Sequence, residues 1–400
     1  MLASRKDVLM PPSGNLSLGK LSRWGAVIAL GVAAGYGARS LAERAGRNLG
    51  SSPHLDWEQA HRLALRVSGW QGAGVPDRAL RQRQYSEMVA RSEPLVAAYL
   101  GRRLPRPIEE VHVVDRRDWL EANFASLALL LEPLEDIFTR LRAHPSPPLA
   151  ALLGGRLAGA QIGVLFGVLA RRVLGQYDLS LLSPDPDSQG ALLFVEPNIA
   201  RLGAQLGLRG EDLRLWVTLH EVTHVFQFEA YPWVRPYFSD LLRQMLRALA
   251  GELSRPDAGL TQFAGRLIEG RLMGRHWLEG ALSPEVKPLF ERVQALMSLS
   301  EGYSNHLMRA IGRELLPSYG EIDRRMKERE RSKPLLLELF DRLTGMDLKL
   351  AQYQEGEAFV SAVTAARGLA FANRAWDGPE RLPTLAEIRA PERWIARLEG

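Results

Sequence analysis

The stretch that most constrains this chain is Leu215–Glu229, LWVTLHEVTHVFQFE, which holds His220, Glu221 and His224. Residues four apart on an α-helix lie one turn apart on the same face, so the two imidazoles can share one metal ion. Glu221 sits beside that face, where its carboxylate can reach a water bound to the metal. Leu213, Trp216 and Val217 continue the histidine face, and Leu215, Leu219, Val222 and Phe226 line another, so the helix is expected to be buried nearly all round. Glu211 and Asp212 favour its start, and Pro232 forces its end near Tyr231. The plain alternative is two core histidines that fall four apart by chance. Against it, two imidazoles and a carboxylate on so apolar a helix are costly to bury without a shared partner.

The pattern is the H-E-x-x-H arrangement of zinc peptidases, with two imidazole ligands and a glutamate as general base. The chain has no cysteine, so disulfides and thiolate ligation are excluded and any Zn²⁺ must use His, Asp or Glu. A catalytic zinc site usually has three protein ligands and an open position. His54, His61 and His276 have no partner at ligand spacing. The better third ligand is Glu301, in LFERVQALMSLSEGYSNHLMRAIG. It falls one turn after Met297 on the stripe Leu289, Val293, Met297, Leu307/Met308 and Ile311, flanked by the small Ser300 and Ser304. A carboxylate on that inward stripe needs a partner, either a metal or one of the many arginines. Asn305 shares its face and could hydrogen-bond a ligating histidine. His306 lies about 140° round the helix and is not expected on the same ion. Glu357 is the alternative third ligand, although a carboxylate at a helix start is its plainer reading. Tyr231, Tyr303 and His306 are candidates for stabilising an oxyanion, and the sequence does not rank them.

The net charge of +5 is concentrated at one end. Residues 1–50 carry seven basic against two acidic side chains, which leaves the remaining 350 balanced and without a surplus for a nucleic-acid face. Trp24–Ala38 is an uncharged run of 15 residues, short of the roughly 20 that span a bilayer. It reads as a signal-peptide core, a marginal membrane anchor or a helix packed on the body. Flanking positive charges and the lack of a clean cleavage site weaken the first, and membrane association is the reading favoured. The excess of arginine over lysine suggests a GC-rich bacterial source, and the expected location is the cytoplasm or its membrane surface.

From residue 51 to 400 the chain reads as one mostly helical body. Helices are expected over Trp57–Val67, Arg78–Leu100, Trp119–Arg142, Pro256–Arg275, Pro284–Leu296 and Glu321–Lys333, with a short strand within Ile108–Val114. Leu157–Ala170 continues a glycine stripe, Gly155, Gly159, Gly163 and Gly167, that suits close helix packing, with the metal helix or its neighbours the expected partner. Ala191–Val195, ALLFV, reads as a short buried strand close before the metal helix. It is the candidate for an edge strand that pairs with extended substrate.

LWVTLHEVTHVFQFE followed by SLSEGYSNHLM, with GEAFVSAV and FANRAWDGPERLPTLAEI downstream, resembles the zincin-like metallopeptidase family associated with coenzyme F420 biosynthesis. The likeness runs from about Asp56 to Trp394. It implies a zincin-like fold and a gluzincin-type centre, in which His220 and His224 join a glutamate from a later helix, matched here by Glu301. Gluzincins commonly carry an acid four residues after that glutamate, where this chain has Asn305, and relatives often have His in place of Tyr303. Nothing in these residues indicates a deazaflavin site.

The sequence therefore predicts a predominantly α-helical α+β protein with a small sheet near the active-site helix. The predicted activity is that of a zinc metallopeptidase acting on a peptide or protein substrate, with Glu221 as general base. The alternative is a non-catalytic, metal-stabilised scaffold on the same fold. Hydrolysis of a non-peptide amide would use the same metal chemistry.

Overall fold

A strand that is apolar on both faces has to be covered on both, and ALLFV is. The computed structural model describes residues 56–128, 155–178, 190–253, 282–331 and 346–400, all within the unit Pro53–Gly400. In it β3 (Ala191–Val195) is the middle strand of three, between β1 (Val111–Val114) and β2 (Gly175–Asp178). β1 runs parallel to β3 with Val111 opposite Leu192, and β2 runs antiparallel with Gly175 opposite Phe194. Side chains alternate across the sheet. Leu192 and Phe194 enter one core and Leu193 and Val195 another.

The expectation of an edge strand at Ala191–Val195 is thus corrected. Both its neighbours are paired, and an unbroken apolar run is what a strand buried on both faces requires. The outer edge of β1 is occupied by a side chain. The amide of Gln82, on α2 (Arg78–Leu100), donates to the Val111 carbonyl and accepts from Val113 N–H at 3.0 Å. Among the described residues, β2 is left as the strand with an unpaired side.

The smaller core is made by α1 (Trp57–Ser68), the helical stretch α3 (116–128) and α4 (Gly155–Ala170). α3 starts at Asp115, whose Oδ1 accepts from the N–H groups of Arg117 and Asp118 at 2.7 and 3.0 Å. The glycine stripe works as expected but against a different partner, since α4 packs on α1. A Cβ on Gly163 would lie 2.5 Å from the Ala60 carbonyl oxygen, and one on Gly159 2.7 Å from that of Asp56.

The larger core lies on the other face of the sheet and contains the metal helix. α5 (Glu196–Leu206) leads to α6 (Gly210–Glu229), then α7 (Val234–Leu253), α8 (Lys287–Leu315), α9 (Tyr319–Arg331) and α10 (Met346–Arg367). The helix expected over Pro284–Leu296 and the apolar stripe from Leu289 to Ile311 belong to the one helix α8. Its closest neighbour is α10, and they cross where two glycines meet. A Cβ on Gly302 would overlap the Gly356 carbonyl carbon, and one on Gly356 would overlap the Ser298 oxygen. Short helical turns from Leu369 to Glu399 close the C-terminus, with Trp376 and Trp394 fully buried. Each large apolar side chain so enclosed contributes about 1.5–3 kcal/mol.

Trp24–Ala38, Pro256–Arg275 and residues 129–142 lie outside the described residues. Among the described residues, no helix is long and apolar enough to cross a membrane.

Candidate metal centre

α6 is buried almost all round, and the exceptions are ordered. From Leu213 to Phe228 only Trp216, His220 and His224 are partly exposed. They stand four residues apart, so they form one stripe along the helix. The helix thus shows solvent a single line of three rings. Its inward polar groups are satisfied locally, with the Thr218 and Thr223 hydroxyls donating to the carbonyls one turn back at 2.8 Å. A buried ion pair fixes its first half. Arg214 grips Glu196 at the start of α5 with two nitrogens, Nε at 3.1 Å, and Tyr85 of α2 donates to Glu196 Oε2 at 2.7 Å. Burial, with the Glu196 charge adding to it, pushes the Tyr85 phenol well above its ordinary pKa, so it serves as a neutral donor.

On the open stripe the donors converge. His220 Nε2 lies 3.2 Å from His224 Nε2. Glu301 Oε2, from α8, lies 3.5 Å from the first and 3.8 Å from the second. All three side chains are only 13–19% exposed, enclosed yet open to water on one side. Zinc–ligand bonds of about 2.0–2.1 Å at tetrahedral angles put ligand atoms roughly 3.3 Å apart. The observed separations of 3.2, 3.5 and 3.8 Å lie at or somewhat above that edge, so two imidazole nitrogens and a carboxylate oxygen here fit a zinc ion with a small inward movement of Glu301. The donor set is also the one a cysteine-free chain has to use. Among the described residues, this is the one group of three His, Asp or Glu side chains that could hold a metal ion.

Glu221 is buried beside this cluster, with its side chain over β2. A Cβ at Gly175 would lie 2.7 Å from Glu221 Cγ and 2.8 Å from Oε1. The general-base candidate therefore occupies space that only glycine leaves open. Val195 N–H donates to the Leu174 carbonyl at 2.8 Å. By antiparallel alternation, the N–H and C=O of Gly175 then point away from β3 to the unpaired side.

The remaining candidates are placed elsewhere. Glu357 is inside α10 rather than at a helix start, and pairs with Arg309. Asn305 makes no hydrogen bond with either histidine among the described residues. The reason is geometric, since α6 packs on the Ser300/Ser304 side of Glu301 and Asn305 lies on the other. The three oxyanion candidates are also turned away. Positions 303 and 306 are about 160° and 140° round the helix from 301. Tyr303 donates to Asn373 Oδ1, His306 Nδ1 lies 3.1 Å from Ser361 Oγ, and Tyr231 stacks on Trp376 at 5.8 Å. Burial raises both phenol pKa values and lowers that of His306, so these groups are neutral and structural.

Three contributors escaped sequence reasoning. Gln227 accepts from His224 Nδ1 at 2.8 Å, and its signal was present as a buried polar residue at i+3. Trp216, expected to continue the histidine face, also stacks on His220, 6.2 Å between ring centroids at 8°, which was not foreseen. Gly175 had no local signal, because its role depends on pairing with β3.

The comparisons agree with this architecture. A crystal structure of a candidate hydrolase with a novel fold from Chloroflexus aurantiacus is similar, at 50% identity and a TM-score of 0.65, covering 86% of this chain and 99% of that one. No curated protein matches. The family model for zincin-like metallopeptidases matches residues 55–395. With the histidine–glutamate cluster and its helices inside that span, the chain belongs to the zincin-like metallopeptidase family.

Proposed function

We propose that the protein is a zinc-dependent hydrolase, most specifically a metallopeptidase, in which His220, His224 and Glu301 hold the ion. The observation that carries this reading is the convergence of two donor atoms from the partly exposed stripe of an otherwise buried helix with a third from α8, with Glu221 next in sequence to His220. A zinc ion there would act as a Lewis acid and bring the pKa of water towards neutrality. Glu221 takes a proton on its carboxylate as a water attacks the substrate carbonyl, and returns that proton to the leaving amine as the C–N bond breaks. Its burial against Gly175 limits the carboxylate's freedom. The outward N–H and C=O of Gly175 offer an extended peptide two backbone hydrogen bonds on the strand nearest Glu221. This favours a polypeptide substrate over a small amide.

The test is Glu221→Gln in the full chain, assayed for zinc content and for cleavage of an unfolded protein or peptide library. The expected result is zinc retained and turnover lost by about 10²–10⁴-fold, the usual contribution of a general base. Substantial residual hydrolysis, free of contaminating protease, would remove Glu221 from that role. Zinc bound by both proteins with no cleavage by either would leave a structural metal protein.

A further inference from the structure

The two histidines are held by different means. Trp216 packs along the His220 ring, but His220 Nδ1 is enclosed without a hydrogen-bond partner. His224 is tied on three sides. Its Nδ1 lies 2.8 Å from Gln227 Oε1, 3.3 Å from Ser300 Oγ and 3.5 Å from Ser304 Oγ. Gln227 is only 1% exposed, so each polar atom it leaves unmatched would cost about 1–3 kcal/mol. None is left unmatched. Nε2 donates to the Ser300 carbonyl at 2.8 Å and to Ser304 Oγ at 3.3 Å, and Oε1 accepts from Ser300 Oγ at 2.5 Å.

This arrangement settles which way the amide points. A backbone carbonyl only accepts, so the Gln227 nitrogen must face Ser300, and its oxygen must then face His224. An oxygen acceptor there requires the proton on His224 Nδ1, which leaves Nε2 as a lone pair directed at His220 and Glu301. The same amide grips α8 at Ser300, the residue before Glu301. One side chain therefore sets the tautomer of one donor and the helix register of another.

We propose that Gln227 is a positioning residue for the metal centre, coupling α6 to α8 so that His224 Nε2 and the Glu301 carboxylate are arranged before any ion binds. This inference rests on the metal-centre reading above. Ordinary helix glue would account for the hydrogen bonds to serine but has no need of a fixed imidazole tautomer.

The experiment uses the full chain, wild type beside Gln227→Met, which keeps the volume and removes the hydrogen bonds. Zinc affinity is measured by competition with a chelator, and the His224 tautomer in metal-free protein by ¹⁵N-edited imidazole spectra. Expected are an Nδ1–H tautomer in the wild type, its loss in the variant, and zinc binding weaker by about 10–100-fold. Unchanged zinc affinity with an unchanged tautomer would overturn this inference and leave the metal centre standing. A folded wild type that takes up no zinc would overturn the metal-centre reading, and this inference with it. Should Gln227→Met fail to fold, Gln227→Glu keeps an acceptor for His224 while losing the donor to Ser300. Retention of the Nδ1–H tautomer there supports the inference, and its loss in a folded protein overturns it.

Discussion

At the scale of single residues, the proposed chemistry depends as much on an absent side chain as on the charged ones. Gly175 lies against Glu221 so closely that any Cβ must displace the carboxylate. Its φ is not positive, so alanine can adopt the backbone and the displacement is isolated from backbone strain. Gly175→Ala is expected to leave zinc content unchanged and to lower kcat by about 10²-fold, the scale of a 1 Å misplacement at a reacting centre. A kcat equal to wild type, measured with zinc verified, would mean that Glu221 tolerates the shift or does not carry the proton. The ligand spacing itself was legible in the sequence, because i, i+4 on a helix is local geometry. Glu301 was legible too, as a carboxylate on an inward stripe. Asn305 was expected near the histidines because it shares a helix face with Glu301, but α6 packs on the Ser300/Ser304 side of that face. Tyr303 and His306 were offered for the oxyanion without regard to their side of the helix. A helix sets residues two and five positions from Glu301 on nearly the opposite side.

At the scale of elements, what the sequence hid is pairing. Helix positions followed from periodicity, and Arg78–Leu100 and Ala191–Val195 have the expected bounds. The rank of a strand in its sheet depends on residues far away in sequence, so ALLFV could not announce that it lies in the centre. The same holds for the glycine stripe, whose spacing revealed close packing but not that α1 supplies the partner. Packing at the glycine contacts gives a graded test. Gly302→Ala should destabilise by at least the 1–3 kcal/mol of ordinary overpacking, because α8 and α10 meet backbone to backbone there. Gly251, within α7, has open space where its Cβ would be. Gly251→Ala should therefore stabilise by about 0.4–1 kcal/mol. Chemical denaturation midpoints compare the two directly, and a neutral Gly302→Ala would show that the helices part without cost.

At the scale of the whole molecule, the proposed metal donors come from two helices joined in space but distant in sequence. An ion held by both adds stability only to the folded chain. At a free concentration a hundred times its Kd, the linkage contributes about 2.7 kcal/mol. Thermal unfolding should then shift upward with zinc and downward with a chelator, and Glu301→Ala should abolish most of the shift. An equal shift in that variant would move the third donor to another side chain. The sheet has a directional property as well. An open strand edge is an invitation to any extended chain, a neighbouring copy of the same protein included. Gln82 closes one end of this sheet with a single amide that imitates a strand's own bonding groups. Among the described residues the sheet is left as a one-ended template, open on the β2 side beside Glu221. For the peptidase proposed above, a polypeptide captured by backbone pairing would be delivered to the side where it is to be cut.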